Sequence, residues 1–329
     1  MMKYRLYPTR DQMTAVRKAF GVCTWTYNQA LEGIRKDESL MTMKSLRPYC
    51  VNNKSELIQE CCPWVTEIMT DMRDEAAHDV IRALKSGFTK RKRDRLKGTN
   101  TKILSGFRFR SRRDPSRVLV IHSKHYKSAG VFCMKTFGDL PFRSRERLPD
   151  QLDHDSKLQL TRMGKLYLLV PVSLPTQIKK RQEWTIDKSP VVAIDPGVRT
   201  FGTCYDGSYV TEWGKDGMNK IYRLGLVMDE LIGKIAKSKN KRRRRNLEMA
   251  LWRRRERKAN LIRDFHYRFA HWLAMNYELI LFPVYDTKSM VSKHPSPGKR
   301  RTINSKTVRN MMNWCPATFR DILMRVSSQ

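Results

Sequence analysis

A short apolar segment that ends on an acid occupies residues 189–202 of the chain, SPVVAIDPGVRTFG. Residues 191–194, VVAI, are small or β-branched, which is typical of a strand buried in a core. Asp195 follows at once, and Pro196-Gly197 then favours a turn. The segment therefore predicts a core strand that stops at a carboxylate.

The elements that follow lead to a second strand of the same kind. Strands are predicted over 199–205 and 208–213, and long helices over 218–239 and 246–276, from the periodicity of their apolar residues. The stretch YELILFPVYD, residues 277–286, then predicts a second buried strand that ends on an acid, Asp286. The second half of the chain is therefore a mixed α/β domain with two strands that end on carboxylates.

The two acids suggest a metal site. If Asp195 and Asp286 lie side by side at the edge of one sheet, their carboxylates repel each other until a cation sits between them. Mg²⁺ is the usual cation where carboxylates act on phosphates, and a pair of such ions clamps the attacking and leaving oxygens of a phosphodiester. The alternative is that each acid only caps a turn, because Asp-Pro-Gly is a good turn sequence by itself.

The first half has a different character. Residues 2–8 predict a strand, and Thr9 is a candidate N-cap for a helix from Asp11 to about Gly33. A second helix is predicted over 65–93, and from about residue 101 short segments alternate with period two. Two of them form a predicted hairpin around Met163-Gly164. The pattern therefore predicts a small antiparallel barrel or sandwich that ends near Pro175.

The charge of the chain indicates its partner. The chain has 66 Lys and Arg against 32 Asp and Glu, a net charge of +34 over 329 residues. Repulsion between these charges destabilises a compact chain unless a polyanion neutralises them. Nucleic acid is the expected polyanion, and a membrane surface is the rival. The N-terminus is polar and no apolar run approaches the roughly 18 residues that span a bilayer, so we expect a soluble, intracellular protein without membrane contact. Seven scattered cysteines without a CxxC pair predict reduced, buried thiols and no zinc site.

Basic clusters supply candidate phosphate contacts. Arg199 lies four residues after Asp195, where it could meet a scissile phosphate or only stabilise the turn. The other candidates fall in two groups. Between the two predicted long helices lie Lys241, Arg242, Arg243, Arg244 and Arg245, and on the second helix lie Arg253, Arg254, Arg255 and Arg257. A solvated helix face or a nuclear localisation signal are the alternatives. Few acids are interleaved to form i,i+4 pairs, which favours nucleic acid.

Several segments resemble one family in order along nearly the whole chain. VVAIDPGVRTFGTCYDG is similar to the first catalytic motif of the RuvC-type, RNase H-like domain of TnpB proteins and their Fanzor relatives, which resemble type V CRISPR effectors. RDFHYRFAHWLAMNYELILFPVYDTKSMV resembles the segment that leads into the second motif. FGVCTWTYNQAL and MRDEAAHDVIRALKSGF resemble the helical recognition module, and FRFRSRRDPSRVLVI with GKLYLLVPV resembles the wedge barrel.

The resemblance implies an α+β fold in which a helical module, residues 11–99, is inserted into a small wedge-like β-barrel, residues 1–10 plus 100–187. An incomplete RNase H-like domain, residues 188–329, follows. It implies an RNA-guided DNA endonuclease, often labelled a transposase, that works with a guide RNA and DNA. Asp195 corresponds to the first Mg²⁺-binding carboxylate, Asp286 stands where the family usually has Glu, and Thr24 stands where it usually has Arg.

The end of the chain matters for this expectation. Members of the family continue into a CxxC…CxxC zinc ribbon and a third catalytic Asp, whereas this sequence stops at Gln329. We therefore expect cleavage to be impaired. A nuclease-dead DNA- or RNA-binding protein and a plain basic RNA-binding protein are the alternatives. The expected compartment is the nucleus of a eukaryotic host, or otherwise the cytoplasm or nucleoid.

Overall fold

The computed structural model describes residues 1–96, 106–111, 114, 116–172, 189–283, 287–292 and 303–327. The chain divides into two compact units, Met1–Thr176 and Gln177–Gln329. None of the helices in the described residues is both long and apolar enough to cross a lipid bilayer.

The first unit contains an antiparallel sheet and the helices that cover it. Its strands are β1 (Met2–Tyr7), β2 (Ser116–Ile121), β3 (Tyr126–Ser128), β4 (Val131–Phe132), β5 (Arg143–Ser144), β6 (Ser156–Thr161) and β7 (Leu166–Val170). Its α-helices are α1 (Arg10–Lys36), α2 (Met43–Leu46), α3 (Thr70–Leu96) and α4 (Met134–Phe137). Short 3-10 and π turns connect α1 to α3.

The N-terminal helix begins as its sequence predicts. The Thr9 hydroxyl accepts from the Gln12 backbone N–H at 3.2 Å, and the Gln12 side chain accepts from the Thr9 N–H at 3.0 Å. This capping box satisfies two of the backbone donors that a helix start leaves unpaired. The predicted second helix begins later than expected, at Thr70, because residues 63–67 form a 3-10 turn and Ile68 is extended.

The sheet of the first unit is open, so the predicted barrel is wrong for the described strands. The strand order is β2-β6-β7-β1-β5, with every neighbouring pair antiparallel. A barrel requires hydrogen bonds between the two edge strands. Here β5 has two residues, paired only with Leu6 and Tyr7, and it offers β2 no edge to pair with. The predicted hairpin is confirmed, since β6 and β7 pair around Gly164, whose φ of +74° suits glycine.

The second unit is built on a mixed sheet. Its strands are β8 (Ser189–Pro196), β9 (Gly202–Tyr205), β10 (Val210–Trp213) and β11 (Tyr277–Leu281), in the order β10-β9-β8-β11. The predicted strands are confirmed, and β11 runs parallel to β8 while the other pairs are antiparallel. Its helices are α5 (Gly217–Lys237), α6 (Lys241–Asn276), α7 (Thr287–Val291), α8 (Ser305–Trp314) and α9 (Pro316–Ser327).

Helices cover one face of this sheet. Val192 and Ile194 point into a core in which Phe269 of α6 and Phe319 of α9 stack with ring centroids 5.0 Å apart. Helices α5 and α6 pack against each other across residues 238–240, as a helical hairpin. The core thus fixes the orientation of β8, the strand that carries Asp195.

The cysteines follow the prediction in part. All seven are free, and burial raises the thiol pKa to about 12 for Cys23, Cys50, Cys133 and Cys204. Cys61 and Cys315 are exposed, so the expectation that every cysteine is buried is wrong for these two. Both lie outside regular helices and strands or at their ends, where the periodicity of apolar residues carries no information on burial.

Candidate functional site

Asp195 lies near the carboxyl end of β8, opposite Thr203 of β9. Its side chain is exposed, on the sheet face opposite to the buried Val192 and Ile194. The sequence suggested a strand buried on both sides, but Val191 and Ala193 on the exposed face are also apolar and hide the alternation. No described residue forms a hydrogen bond or ion pair with the Asp195 carboxylate, so it is free to bind a ligand.

The neighbouring strand ends at the same edge of the sheet. Because β11 is parallel to β8, with Leu281 opposite Ala193, both chains leave the sheet in the same direction. The structure thus brings together the two strand ends that the sequence singled out. Asp286 itself lies outside the described residues. Within the described ranges, no three His, Cys, Asp or Glu side chains are placed to hold a metal ion together.

A tight turn follows Asp195. The Gly197 N–H donates to the Phe201 carbonyl at 3.1 Å, and the Trp314 indole N–H donates to the Val198 carbonyl at 3.0 Å. Arg199 is exposed on this turn, and none of these contacts uses its guanidinium. Backbone bonds and Trp314 therefore hold the turn, which leaves the Arg199 side chain available to an anion.

The turn has no space for a side chain at Gly197. A Cβ atom built there would lie 2.6 Å from the Thr200 carbonyl oxygen, so the backbone must shift to admit it. We expect Gly197→Ala to lower the free energy of unfolding by about 1–3 kcal/mol. Urea unfolding, with amide hydrogen exchange in β8 and β9 as the local probe, measures the change.

Gly233 provides the matched control. It lies inside α5, and a Cβ atom there meets nothing within 4 Å. Gly233→Ala should stabilise the protein by roughly 0.5–1 kcal/mol, because alanine loses less backbone entropy in a helix. If Gly197→Ala is as harmless as this control, the tight turn after Asp195 does not exist in solution.

The first basic group covers the start of α6. Asn240 caps the helix by accepting from the Arg243 backbone N–H at 3.0 Å, and the first turn contains no acid. The side chains of this group are all exposed: Lys241, Arg242, Arg243, Arg244 and Arg245. Cations are unfavourable here, because the N-terminus of a helix carries a partial positive charge. This arrangement destabilises the free helix and suits an anion, which helix N-termini also bind.

The second basic group lies two to three turns further along α6. Its four side chains are exposed: Arg253, Arg254, Arg255 and Arg257. The Arg255 guanidinium lies over the Trp252 ring, 5.1 Å from its centroid, and Arg244 of the first group pairs with Glu248 at 3.5 Å. Over residues 241–258 the sequence has ten Lys and Arg against two Glu. The amino-terminal half of α6 is thus a strongly cationic surface, and we call residues 241–257 the basic segment.

Two buried residues of this unit have roles that the sequence did not reveal. Trp314, 1 % exposed, connects α8 to the turn after Asp195 through its indole N–H. Its carbonyl accepts a hydrogen bond from Nε2 of the buried His266 at 2.8 Å. Because Val198 and Trp314 are 116 residues apart, no local pattern could have linked them.

Comparison with known proteins shows which proteins this chain resembles. A family model described as a helix-turn-helix domain, HTH_OrfB_IS605, matches residues 1–37. "TnpB-like protein L79" of Acanthamoeba polyphaga mimivirus is 25 % identical over 316 residues, which cover 88 % of this chain and 56 % of that protein. A protein of Paramecium bursaria Chlorella virus 1, named "Putative transposase", is 24 % identical over 337 aligned positions, 97 % of this chain and 71 % of the relative. Over most of its length the chain is therefore similar to TnpB-like proteins and to a protein named as a transposase.

Two features limit the extent of these similarities. The chain spans about half the length of the mimivirus relatives, including "TnpB-like protein L770", of which it covers 56 % at 24 % identity. In the region that the helix-turn-helix model matches, the structure has strand β1 followed by the single long helix α1. The matched sequence therefore folds here as part of the first unit's sheet and helix layer.

Proposed function

We propose that this TnpB-like, transposase-related chain binds nucleic acid along the basic segment of α6. The carrying observation is the excess positive charge of that segment, in which nine exposed Lys and Arg stand against two Glu. Each cation that neutralises a phosphate releases a counterion, which supplies most of the affinity for DNA or RNA. The guide RNA and the DNA target that the family resemblance implies are the proposed partners.

We further propose that Asp195 is a metal-binding carboxylate of an RNA-guided DNA endonuclease. Its exposure, and the absence of any described partner for its carboxylate, fit a ligand of Mg²⁺, which prefers carboxylate oxygens and water. Asp286, which follows the parallel neighbouring strand, is the proposed second ligand. When bound, Mg²⁺ would polarise the scissile phosphate and activate the attacking water.

The residues around Asp195 have proposed tasks of their own. The tight turn at Gly197 begins two residues after Asp195, and it leaves Arg199 exposed. A guanidinium there would hold a phosphate oxygen with two parallel hydrogen bonds, which would orient the phosphodiester relative to Asp195. The basic segment would hold the rest of the nucleic-acid backbone.

Cleavage of a supercoiled plasmid tests this proposal, with guide RNA and Mg²⁺ or Mn²⁺ present. If the chain cleaves, Asp195→Asn should reduce the rate on the order of 10²–10³-fold, the typical loss for one group that stabilises the transition state. Asp321→Asn is the matched control, because Asp321 is an exposed acid on α9 and follows no strand of the sheet. That control should cleave at the wild-type rate.

The two outcomes separate the candidate functions. Cleavage that is unchanged in Asp195→Asn would contradict the assignment of Asp195. Nucleic-acid binding without metal-dependent cleavage would favour the second candidate, a binding protein without nuclease activity. One observation favours that candidate: the exposed cations of the basic segment can bind phosphates without any metal ligand.

A further inference from the structure

The five-stranded sheet of the first unit has one face in the core and a second face with a different composition. On β1, Tyr4 and Leu6 are buried, whereas the alternating Lys3 and Tyr7 are exposed and Arg5 is partly exposed. The strand register places further side chains on the same side of the sheet as these three: Val118, Val120, Arg143, Lys157, Gln159, Tyr167 and Leu169. We call these ten residues the outer face, and none of them is buried.

The outer face is cationic. Four of its ten residues are Lys or Arg, and none is Asp or Glu. A fifth cation, Arg145, is exposed directly after β5, and its guanidinium carbon lies 5.6 Å from the centroid of the Tyr7 ring. Charge complementarity therefore favours an anionic partner for this face.

Cation–ring contacts join five of these side chains into one row. The Lys3 ammonium lies 4.1 Å from the centroid of the Tyr167 ring, and the Arg5 guanidinium carbon lies 5.0 Å from the same centroid. Arg5 also lies 5.5 Å from the centroid of Tyr7. Cations and rings thus alternate in the order Lys3, Tyr167, Arg5, Tyr7 and Arg145, which we call the cation–tyrosine row. Contacts with the rings restrain the cationic side chains, so less of their conformational entropy remains to be lost on binding.

This combination of groups suits a nucleic-acid strand whose bases are not paired. Unpaired bases stack on aromatic rings and on the planes of guanidinium groups, while nearby cations contact the phosphates. A duplex presents the same phosphates but keeps the faces of its bases stacked inside the helix. The two tyrosine rings therefore favour a single strand over a duplex.

We propose that the outer face of the first unit's sheet binds single-stranded nucleic acid, with bases stacked on the cation–tyrosine row. This surface goes beyond the function proposed above, because it lies in the first unit whereas the basic segment of α6 lies in the second. It requires neither metal nor cleavage. Every base has a flat face, so binding here should depend little on base sequence.

The test compares two single-stranded probes of eight units with equal numbers of phosphates, oligo(dT) and an abasic chain. Their binding to the full chain is measured by fluorescence anisotropy at one salt concentration. We expect oligo(dT) to bind at least on the order of tenfold more tightly, equivalent to about 1.4 kcal/mol, because stacking of a single base on an aromatic side chain accounts for a difference of this size.

Tyrosine variants assign this preference to the outer face. Tyr7→Leu with Tyr167→Leu removes both rings and keeps every cation, so the ratio of oligo(dT) to abasic affinity should fall close to one. Tyr7→Leu alone should lower the ratio in part. Because Tyr7 is 40 % exposed, this single variant keeps the test decisive if the double variant does not fold.

Two controls isolate the contribution of the rings. Tyr7→Phe with Tyr167→Phe keeps both rings and should keep the wild-type ratio. Tyr209→Leu removes a tyrosine that is 75 % exposed in the second unit, and it should also keep the ratio. Loss of the preference in the phenylalanine variant would contradict stacking, because the rings are still present there.

The remaining outcomes separate this proposal from the function proposed above. If wild-type protein binds both probes equally, contacts are to phosphate alone, which refutes stacking and leaves the basic segment as a binding surface. A preference for oligo(dT) that persists without the two tyrosine rings would refute the outer face as its site. If replacing the arginines of the basic segment leaves nucleic-acid affinity unchanged while the tyrosine variants abolish the preference, the proposal for α6 fails and this one stands. Tighter binding to phosphatidylserine vesicles than to oligo(dT), lost in Tyr7→Leu, would make the outer face a membrane surface and overturn the proposal.

Discussion

Replacing Arg253, Arg254, Arg255 and Arg257 by Gln should weaken the binding of duplex DNA on the order of 10³-fold at 0.1 M salt. The four side chains are exposed within five consecutive positions of one helix, where they can each neutralise a phosphate. Each such contact contributes about 0.9 to the slope of log affinity against log salt, so the slope should become shallower by up to about 3.6. Anisotropy titrations between low and moderate salt measure both quantities.

A control with the same change of net charge shows whether position matters. Four exposed cations outside the basic segment are already paired with acids: Lys36 with Glu32, Lys215 with Glu212, Lys234 with Glu230, and Arg268 with Asp264. Their replacement by Gln should change the salt slope far less. Equal slope changes in both variants would mean that net charge alone drives binding, and an unchanged slope in the first would remove the basic segment from the interface.

Binding of nucleic acid should also stabilise helix α6. Lys241 and Arg245, and likewise Arg253 and Arg257, are like charges four residues apart on one helix, which is destabilising. The first group also opposes the helix dipole. A bound polyanion removes both penalties, so the same residues that weaken α6 in isolation favour its complex with nucleic acid.

Local signals predicted the elements that local chemistry controls. Thr9 and Gln12 form the capping box that starts α1, and Met163-Gly164 joins β6 to β7. The strand at 191–195 was also predicted, but its exposure was not, because Val191 and Ala193 are apolar on the solvent face. An apolar run shows that a strand forms, whereas only an alternating pattern shows which face it buries.

Long-range pairing accounts for what the sequence did not reveal. The first unit's sheet stays open because β5 pairs with β1 at only two positions, a register that no periodicity encodes. The surroundings of His266 likewise depend on a distant residue, because its Nε2 donates to the Trp314 carbonyl 48 residues further along the chain. Asp195 and the basic segment could be picked out from the sequence as candidates, but the residues that position and surround them could not.

Trp314→Ala should cause the largest loss of stability in the second unit, about 3–5 kcal/mol. The side chain is 1 % exposed and packs against Phe201 and Phe265, with ring centroids 5.0 and 5.2 Å away. Its removal leaves a cavity and also deprives the Val198 carbonyl of its indole donor. Trp314→Phe should cost less, since it keeps most of the packing and loses only the hydrogen bond and part of the ring.

The measurement must report on the second unit alone, because a chain of two units need not unfold in one step. Amide hydrogen exchange in β8, β9 and α6 provides that report, and the turn at residues 197–200 should lose protection in both Trp314 variants. Trp64→Ala is the control: this tryptophan of the first unit is 41 % exposed and meets Trp25 edge-on at 5.9 Å. It should cost much less and leave exchange in the second unit unchanged. If Trp314→Phe preserves protection at residues 197–200, the indole bond does not hold the turn beside Asp195, and packing alone accounts for the burial of Trp314.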